Sequence, residues 1–330
     1  MKELMLAASG HAFVYGLWLL NEQHQILITF PSTMAGGISA YLQLMRMKNV
    51  ILASITVPLG AQFAVGDSWT SDQLAEVITQ ILAVIFFIGA GNTMNDIKDI
   101  TIDKSAHPER PLAAELISLE NAKKFAYLLW ILSISCVIIG AYILQSDGKS
   151  PVELLAIYII AVTLMLTYDH GPTLKNTGLK GNFAISVMVG AVILYGASSV
   201  GNLWTDLVWW TAGVVFFANL AREIIKDCQD MEADQGIRTT LPMSFGLVKS
   251  RMLAYVVVMA ALVCLYIPYW QGPFEFNQLV FQTPAILMLI TLNRELAEGN
   301  DYQAASKIRI AMFLGSVSYT HLTLPTSTHG

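Results

Sequence analysis

Long apolar runs alternate with short polar breaks over most of this chain, and the runs have the length of a bilayer crossing. A helix needs about 20 residues to span the hydrocarbon core. From Ala40 onward such runs fall near 42–64, 73–94, 119–144, 151–168, 183–201, 203–221, 247–269 and 278–293, and a ninth begins near 307. Helix punctuation marks some of the starts. Ser150 before Pro151 places an N-cap ahead of a proline at the first helical position, and Thr70 with Gln73 has the spacing of a capping box. The pattern predicts an all-α polytopic membrane protein over residues 39–316.

The two ends of the chain read differently. Residues 1–38 contain LMLAASGHAFVYGLWLL, which is short for a span, follows a single Lys and lacks a small-residue cleavage site. They are expected to be a signal-like or interfacial extension, or sequence ahead of a start at Met34. From Val317 the chain becomes VSYTHLTLPTSTHG, polar and turn-rich. That string resembles translated sequencing adaptor, so 317–330 is expected to be a non-native or disordered tail that truncates the ninth helix.

Composition narrows the class. With 55% hydrophobic and 13% charged residues among 330, the chain is too apolar for an ordinary soluble domain. A net charge of -5 with dispersed basic residues gives no footprint for nucleic acid. Cys136, Cys228 and Cys264 lie too far apart to suggest a disulfide framework or a zinc site. Lys and Arg also divide the breaks into two sets. Those at 65–72, 202 and 270–277 have none and 145–150 has only Lys149, whereas the other side, counting the alternate breaks together with the span ends beside them, carries nearly all the others. Because cytoplasmic loops carry the basic excess, the alternate breaks are expected to face the cytoplasm, with the protein in the plasma membrane.

Two of those cytoplasmic breaks share a spacing. Both NDIKDITID and KDCQDMEAD contain Asp-x2-Asp-x3-Asp: Asp96, Asp99 and Asp103 in the first, Asp227, Asp230 and Asp234 in the second. Offsets of zero, three and seven return side chains to one helix face, so each segment is expected to present a line of carboxylates. Each follows an even-numbered helix, four helices apart, which suggests pseudo-duplicated four-helix units. Clustered carboxylates call for a compensating cation. Magnesium suits them, since it takes carboxylate oxygens and is completed by water and substrate phosphate. Arg46, Lys48, Lys104, Arg110, Lys175, Lys180, Arg222, Lys226 and Arg238 form a basic rim suited to a polyanion bridged by metal. One ordinary acidic loop would be a solvated face; the repetition argues otherwise. An ion path is the other reading of membrane acids, but no matching set occurs across the membrane. The Asp-Gly-x2-Ala-Arg signature of membrane phosphotransferases is absent.

NDIKDITID followed by HPERPL, then KNTGLKGN, REIIKDCQDMEAD and RTTLP, resembles the UbiA superfamily of intramembrane prenyltransferases over roughly Tyr41 to Ser316. The resemblance implies a nine-helix transmembrane bundle around a central cavity, magnesium held by two cytoplasmic motifs, and transfer of an isoprenoid from its diphosphate to an acceptor. By the same resemblance, Asn95, Asp99 and Asp103 form the first metal motif, with Asp96 as an extra acid, and Asp230 and Asp234 form the second, preceded by Asp227; all six Asp residues are expected to be catalytic, holding the magnesium that draws charge from the diphosphate. Lys175, Asn182 and Arg110 match the family's positions for diphosphate and signature residues; Arg46 and Asn49 match polar positions facing the cavity, and Arg222 and Lys226 join the substrate-binding set. An allylic cation needs a soft, dry lining, for which Phe86, Phe87, Tyr142, Tyr158, Tyr195, Phe216 and Phe217 are candidates. The second motif is most similar to the branch that builds archaeal ether lipids by adding a second geranylgeranyl chain to geranylgeranylglyceryl phosphate. HPERPLAAELIS lacks the Pro-Ser-Gly frequent in that branch, which keeps aromatic acceptors such as 4-hydroxybenzoate or homogentisate as the alternative.

Overall fold

The computed structural model of the protein describes residues 37–66, 69–169, 174–236 and 238–323. Apart from Gly37 and Ile38, the extension expected at 1–38 lies outside them. Twelve helices are described: α1 (Gly37–Leu44), α2 (Met47–Val65), α3 (Ser71–Ala106), α4 (Leu119–Ser146), α5 (Val152–Asp169), α6 (Leu179–Ser198), α7 (Asp206–Gln229), α8 (Leu241–Phe245), α9 (Leu247–Trp270), α10 (Thr283–Ile290), α11 (Leu292–Glu298) and α12 (Asp301–Thr323). Among the described residues there is no strand, only an isolated parallel bridge between Thr177 and Thr239. The expected capping box at Thr70 is present, whereas α5 begins at Val152, so that Pro151 stands just ahead of the first helical position in place of occupying it. Thr70 Oγ1 accepts from the Gln73 N–H at 3.2 Å while Gln73 returns a bond to the Thr70 N–H, and Ser150 Oγ accepts from the Val152 N–H.

Five of these helices, α3, α4, α6, α7 and α9, are long and apolar enough to cross a membrane, or six if α1 and α2 form one broken span. This is fewer than the nine expected. The run at 42–64 is interrupted at Arg46, which adopts the left-handed conformation (φ 56°, ψ 57°) between α1 and α2. The run at 278–293 is likewise divided among a 3-10 turn (Phe276–Gln282), α10 and α11, with Pro284 in the first turn of α10. A proline there starts a helix and cannot continue one from upstream. The expected loss of structure after Ser316 is not seen, since α12 continues to Thr323.

The centre of the bundle is a contact between small residues. α2 packs on α3, α6 and α7, and α7 packs on α6, α9 and α12. Where α2 crosses α6, a Cβ on Gly60 would stand 2.1 Å from the Ile193 carbonyl oxygen, and one on Gly196 would stand 2.1 Å from that of Val57. Glycine at both positions is what lets the two backbones touch, the usual basis of tight helix association in lipid.

At the opposite end of α3 from its Asp motif, Glu76 is fully buried and accepts from Lys149 Nζ at 2.8 and 2.9 Å. Removing one partner of a buried pair leaves an uncompensated charge, whereas replacing both with apolar groups is nearly neutral. Lys149→Met is expected to lower stability by about 3 kcal/mol, and the double variant Glu76→Met/Lys149→Met to recover most of it. Unfolding of the two in detergent checks this.

Candidate active site

The first acidic segment is part of α3 itself, which runs unbroken through it. Asp96 and Asp103, two turns apart, are both buried, while Asn95 and Asp99 on the same stretch are half-buried. Arg110, in the turns after α3, donates from Nη1 to both oxygens of Asp103 at 2.7 and 2.8 Å and lies 3.9 Å from Asp96. The break between α1 and α2 delivers a second guanidinium, with Arg46 Nη2 donating to Asp96 Oδ1. Non-glycine residues seldom hold a positive φ unless the surroundings fix it. Here Asn92 helps fix it by donating to the Met45 carbonyl at 2.8 Å. Asn49, on the first turn of α2, is exposed.

The second segment departs from expectation. It is not one helical face: α7 stops at Gln229 with Asp227 on its last turn, Asp230 caps it, and Asp234 lies in the turns beyond. Bonds from the Asp234 N–H to the Asp230 carbonyl and from the Arg238 N–H to that of Asp234 keep a near-helical advance, and Gly236 at φ 80° ends it. Asp227 is buried and accepts from Asn182 Nδ2 at 2.8 Å. Asn182 is held in turn, because Asn219 donates to Ser186 Oγ and Ser186 donates to the Asn182 carbonyl. Asp234 pairs with Arg238 at 2.6 Å. Burial pushes the Asp230 carboxyl above its usual range, with Asp234 and Glu223 adding to Lys226 and Arg238 opposing. Burial works against the charge on Arg238, but the Asp234 carboxylate outweighs it and the guanidinium titrates above its ordinary value.

Contacts place both segments at the same end of the bundle. Asn92 of α3 reaches the start of α2, while Asn202, just ahead of α7, reaches the Ala64 carbonyl at the end of α2. Both α3 and α7 therefore run antiparallel to α2 and finish beside its beginning. α2 packs against each of them. Among the described residues, no three carboxylates come near enough to hold one metal ion together.

The basic residues expected at the site are distributed unevenly. Arg222 and Lys226 both lean on Glu223, at 2.6 and 3.4 Å. Lys175 falls in a 3-10 turn (Leu174–Asn176) on the connection from α5 to α6. Of the aromatic candidates, Phe87, Tyr158 and Tyr195 form a chain of ring contacts that Trp130 extends, and Phe216 packs on Phe217 and Phe183. Phe86 packs beside Met45 and Leu129. Tyr142 is 72% exposed on the outside of α4, which removes it from any lining. Sequence reasoning missed Asn92, Asn219, Glu223 and Trp130. The first two carry a faint signal, since each lies on the motif face at one or two turns before an Asp.

The chain is similar to known proteins over most of its length. A digeranylgeranylglyceryl phosphate synthase of Methanosarcina mazei is 31% identical over 87% of this chain and 99% of its own, and one of Methanococcus aeolicus is 30% identical over 86% and 96%. A solved structure of digeranylgeranylglyceryl phosphate synthase superposes with a TM-score of 0.69 at 27% identity, covering 86% of this chain and 98% of that one. A UbiA homolog from Archaeoglobus fulgidus bound to GPP and Mg2+ shares the fold, with a TM-score of 0.58 at 14% identity over 86% of this chain and 99% of its own. With the family profile matching residues 52–317, this integral membrane chain belongs to the UbiA prenyltransferase family.

Proposed function

We propose that this prenyltransferase moves a geranylgeranyl group from its diphosphate to geranylgeranylglyceryl phosphate, with magnesium, in ether-lipid synthesis. The observation that carries the reading is the arrival of two acidic segments at one end of the bundle, each already paired with guanidinium groups. The relatives that match nearly end to end bear the name of that reaction.

The donor set fits magnesium. The candidate ligands Asn95, Asp99, Asp103, Asp230 and Asp234 all offer oxygen, and magnesium uses one or two carboxylates while water and substrate phosphate complete its shell. Separate small groups of acids suit that habit better than one crowded cage. Bound there, the metal would draw charge from the diphosphate and ease ionisation of the allylic carbon–oxygen bond. Arg46, Arg110 and Arg238 supply positive charge beside the acids, Lys226, Arg222 and Asn182 extend the polar ring, and Lys175 is assigned to diphosphate binding by its place in the α5–α6 connection. Phe87 and Tyr158 offer aromatic faces to the cation, whereas Tyr195, buried and bonded to Gln80 toward the far end of α3, belongs to the core. Asp96 and Asp227 act chiefly by anchoring Arg46 and Asn182.

The finer architecture belongs to the same proposal. Counting α1 with α2 as one span and α10 with α11 as another, and adding α3–α7, α9 and α12, gives nine crossings around a central cavity, in pseudo-duplicated units. Their acidic end faces the cytoplasm from the plasma membrane, in keeping with the basic loops. Residues 39–316 make up this domain, with α12 continuing past them to Thr323.

Purified protein with magnesium and geranylgeranyl diphosphate is expected to convert geranylgeranylglyceryl phosphate to a product heavier by one geranylgeranyl group. Transfer to 4-hydroxybenzoate instead would reassign the acceptor, and no product with either would remove the assignment.

A further inference from the structure

Beside the second acidic segment, but apart from its carboxylates, a groove of about 510 Å³ opens between the start of α6 and the loop entering α8. Its two walls meet at Gly178, where a Cβ would stand 3.2 Å from the Thr239 carbonyl oxygen. One end of the groove is polar. Gly178 (φ 59°) precedes the 20-residue α6 and supplies no side-chain cap, and Gly178, Leu179 and Lys180 at this uncapped helix start line the groove. Lys180, in the first turn, is exposed and has no ion pair among the described residues. Thr240 lines the same groove. It is 2% exposed, and its Oγ1 has no hydrogen-bond partner among the described residues. A hydroxyl buried without a partner is destabilising unless a ligand completes it. The other end is apolar, with Phe183 and Phe245 lying open on the surface of a membrane protein.

A helix N-terminus, an ammonium and a hydroxyl together suit a phosphate, and exposed aromatic rings beside them suit a lipid chain. We propose that this groove holds the phosphate of the prenylated glyceryl phosphate acceptor, with its isoprenoid chain laid over Phe183 and Phe245. The inference rests on the acceptor assigned above. The polar end shares a loop with the second motif, because Thr239 directly follows Arg238, the partner of Asp234. The groove thus seats the acceptor beside the segment proposed to hold the donor.

Thr240→Val and Thr240→Ala test this in the whole 330-residue chain. Each is expected to raise KM for geranylgeranylglyceryl phosphate about tenfold, the usual scale for one hydrogen bond to a charged group. KM for geranylgeranyl diphosphate should stay unchanged, as should turnover of phosphate-free geranylgeranylglycerol. Thr240→Val should leave the unfolding temperature unchanged or raised, since it deletes an unpaired buried hydroxyl; a structural threonine would show a loss. Equal losses with both acceptors, or a shift in the donor KM, would overturn the proposal. Equilibrium binding of geranylgeranylglyceryl phosphate without donor separates it from the functional reading. If the parent protein transfers and the variants bind like it, the groove assignment fails and the function stands. If the parent binds without transferring and the variants bind tenfold more weakly, the groove stands and the function fails. Displacement of the acceptor by an equal concentration of phosphatidylglycerol would give the groove to ordinary membrane lipid and overturn the acceptor assignment.

Discussion

Asp99→Ala and Asp230→Ala are each expected to reduce prenyl transfer by on the order of a thousandfold while leaving the protein folded, the upper scale for losing one preorganised charge-stabilising group. Both residues are half-buried at the ends of α3 and α7. They differ in this from Asp96 and Asp227, which are buried in bonds to Arg46 and Asn182. Replacing those two would remove structural anchors together with activity, so the half-buried pair gives the cleaner test. Rates measured across a magnesium titration, with unfolding temperatures alongside, check the expectation. Retention of more than a tenth of the parent rate by both variants at saturating magnesium would count against a metal role for either segment.

The second large effect is on folding. Gly196→Leu and Gly60→Leu are each expected to prevent recovery of folded protein, and Gly196→Ala to destabilise it by about 3 kcal/mol or more, the upper range for overpacking a tight core. The cause is that each added carbon meets a backbone carbonyl oxygen at 2.1 Å, and a backbone on a neighbouring helix cannot turn aside as a side chain can. Gly37→Ala, with nothing within 4 Å of its added carbon, serves as the control and should behave like the parent. Yield of monodisperse protein in detergent and its unfolding temperature distinguish the cases.

Hydropathy exposes the spans because lipid imposes length and apolarity, but it is blind to backbone direction. The break at Arg46 falls between Leu44 and Val50, both buried, so the apolar run reads straight through a point where the chain turns. The same blindness hid the division at Pro284. Going the other way, the apolar signal faded near Met94, yet α3 continues to Ala106, because residues 95–106 contain neither Gly nor Pro to stop a helix already under way. The acids themselves were legible from spacing. Their partners were less so. Arg46 meets Asp96 across fifty residues, and Asn182 meets Asp227 across forty-five, pairings that only the packing of α2 and α6 creates. Thr240 stood in plain view within RTTLP, but nothing in a sequence distinguishes a hydroxyl left without a partner.

The crossing of α2 and α6 also sets how the enzyme accommodates its ligands. Two backbones already in contact have no lateral travel left, so this pair works as a fixed keel with the acidic ends of α3 and α7 moored on either side. Any yielding to a longer or bulkier isoprenoid then falls to the jointed piece, α10 against α11, where the chain has a hinge in place of a seam.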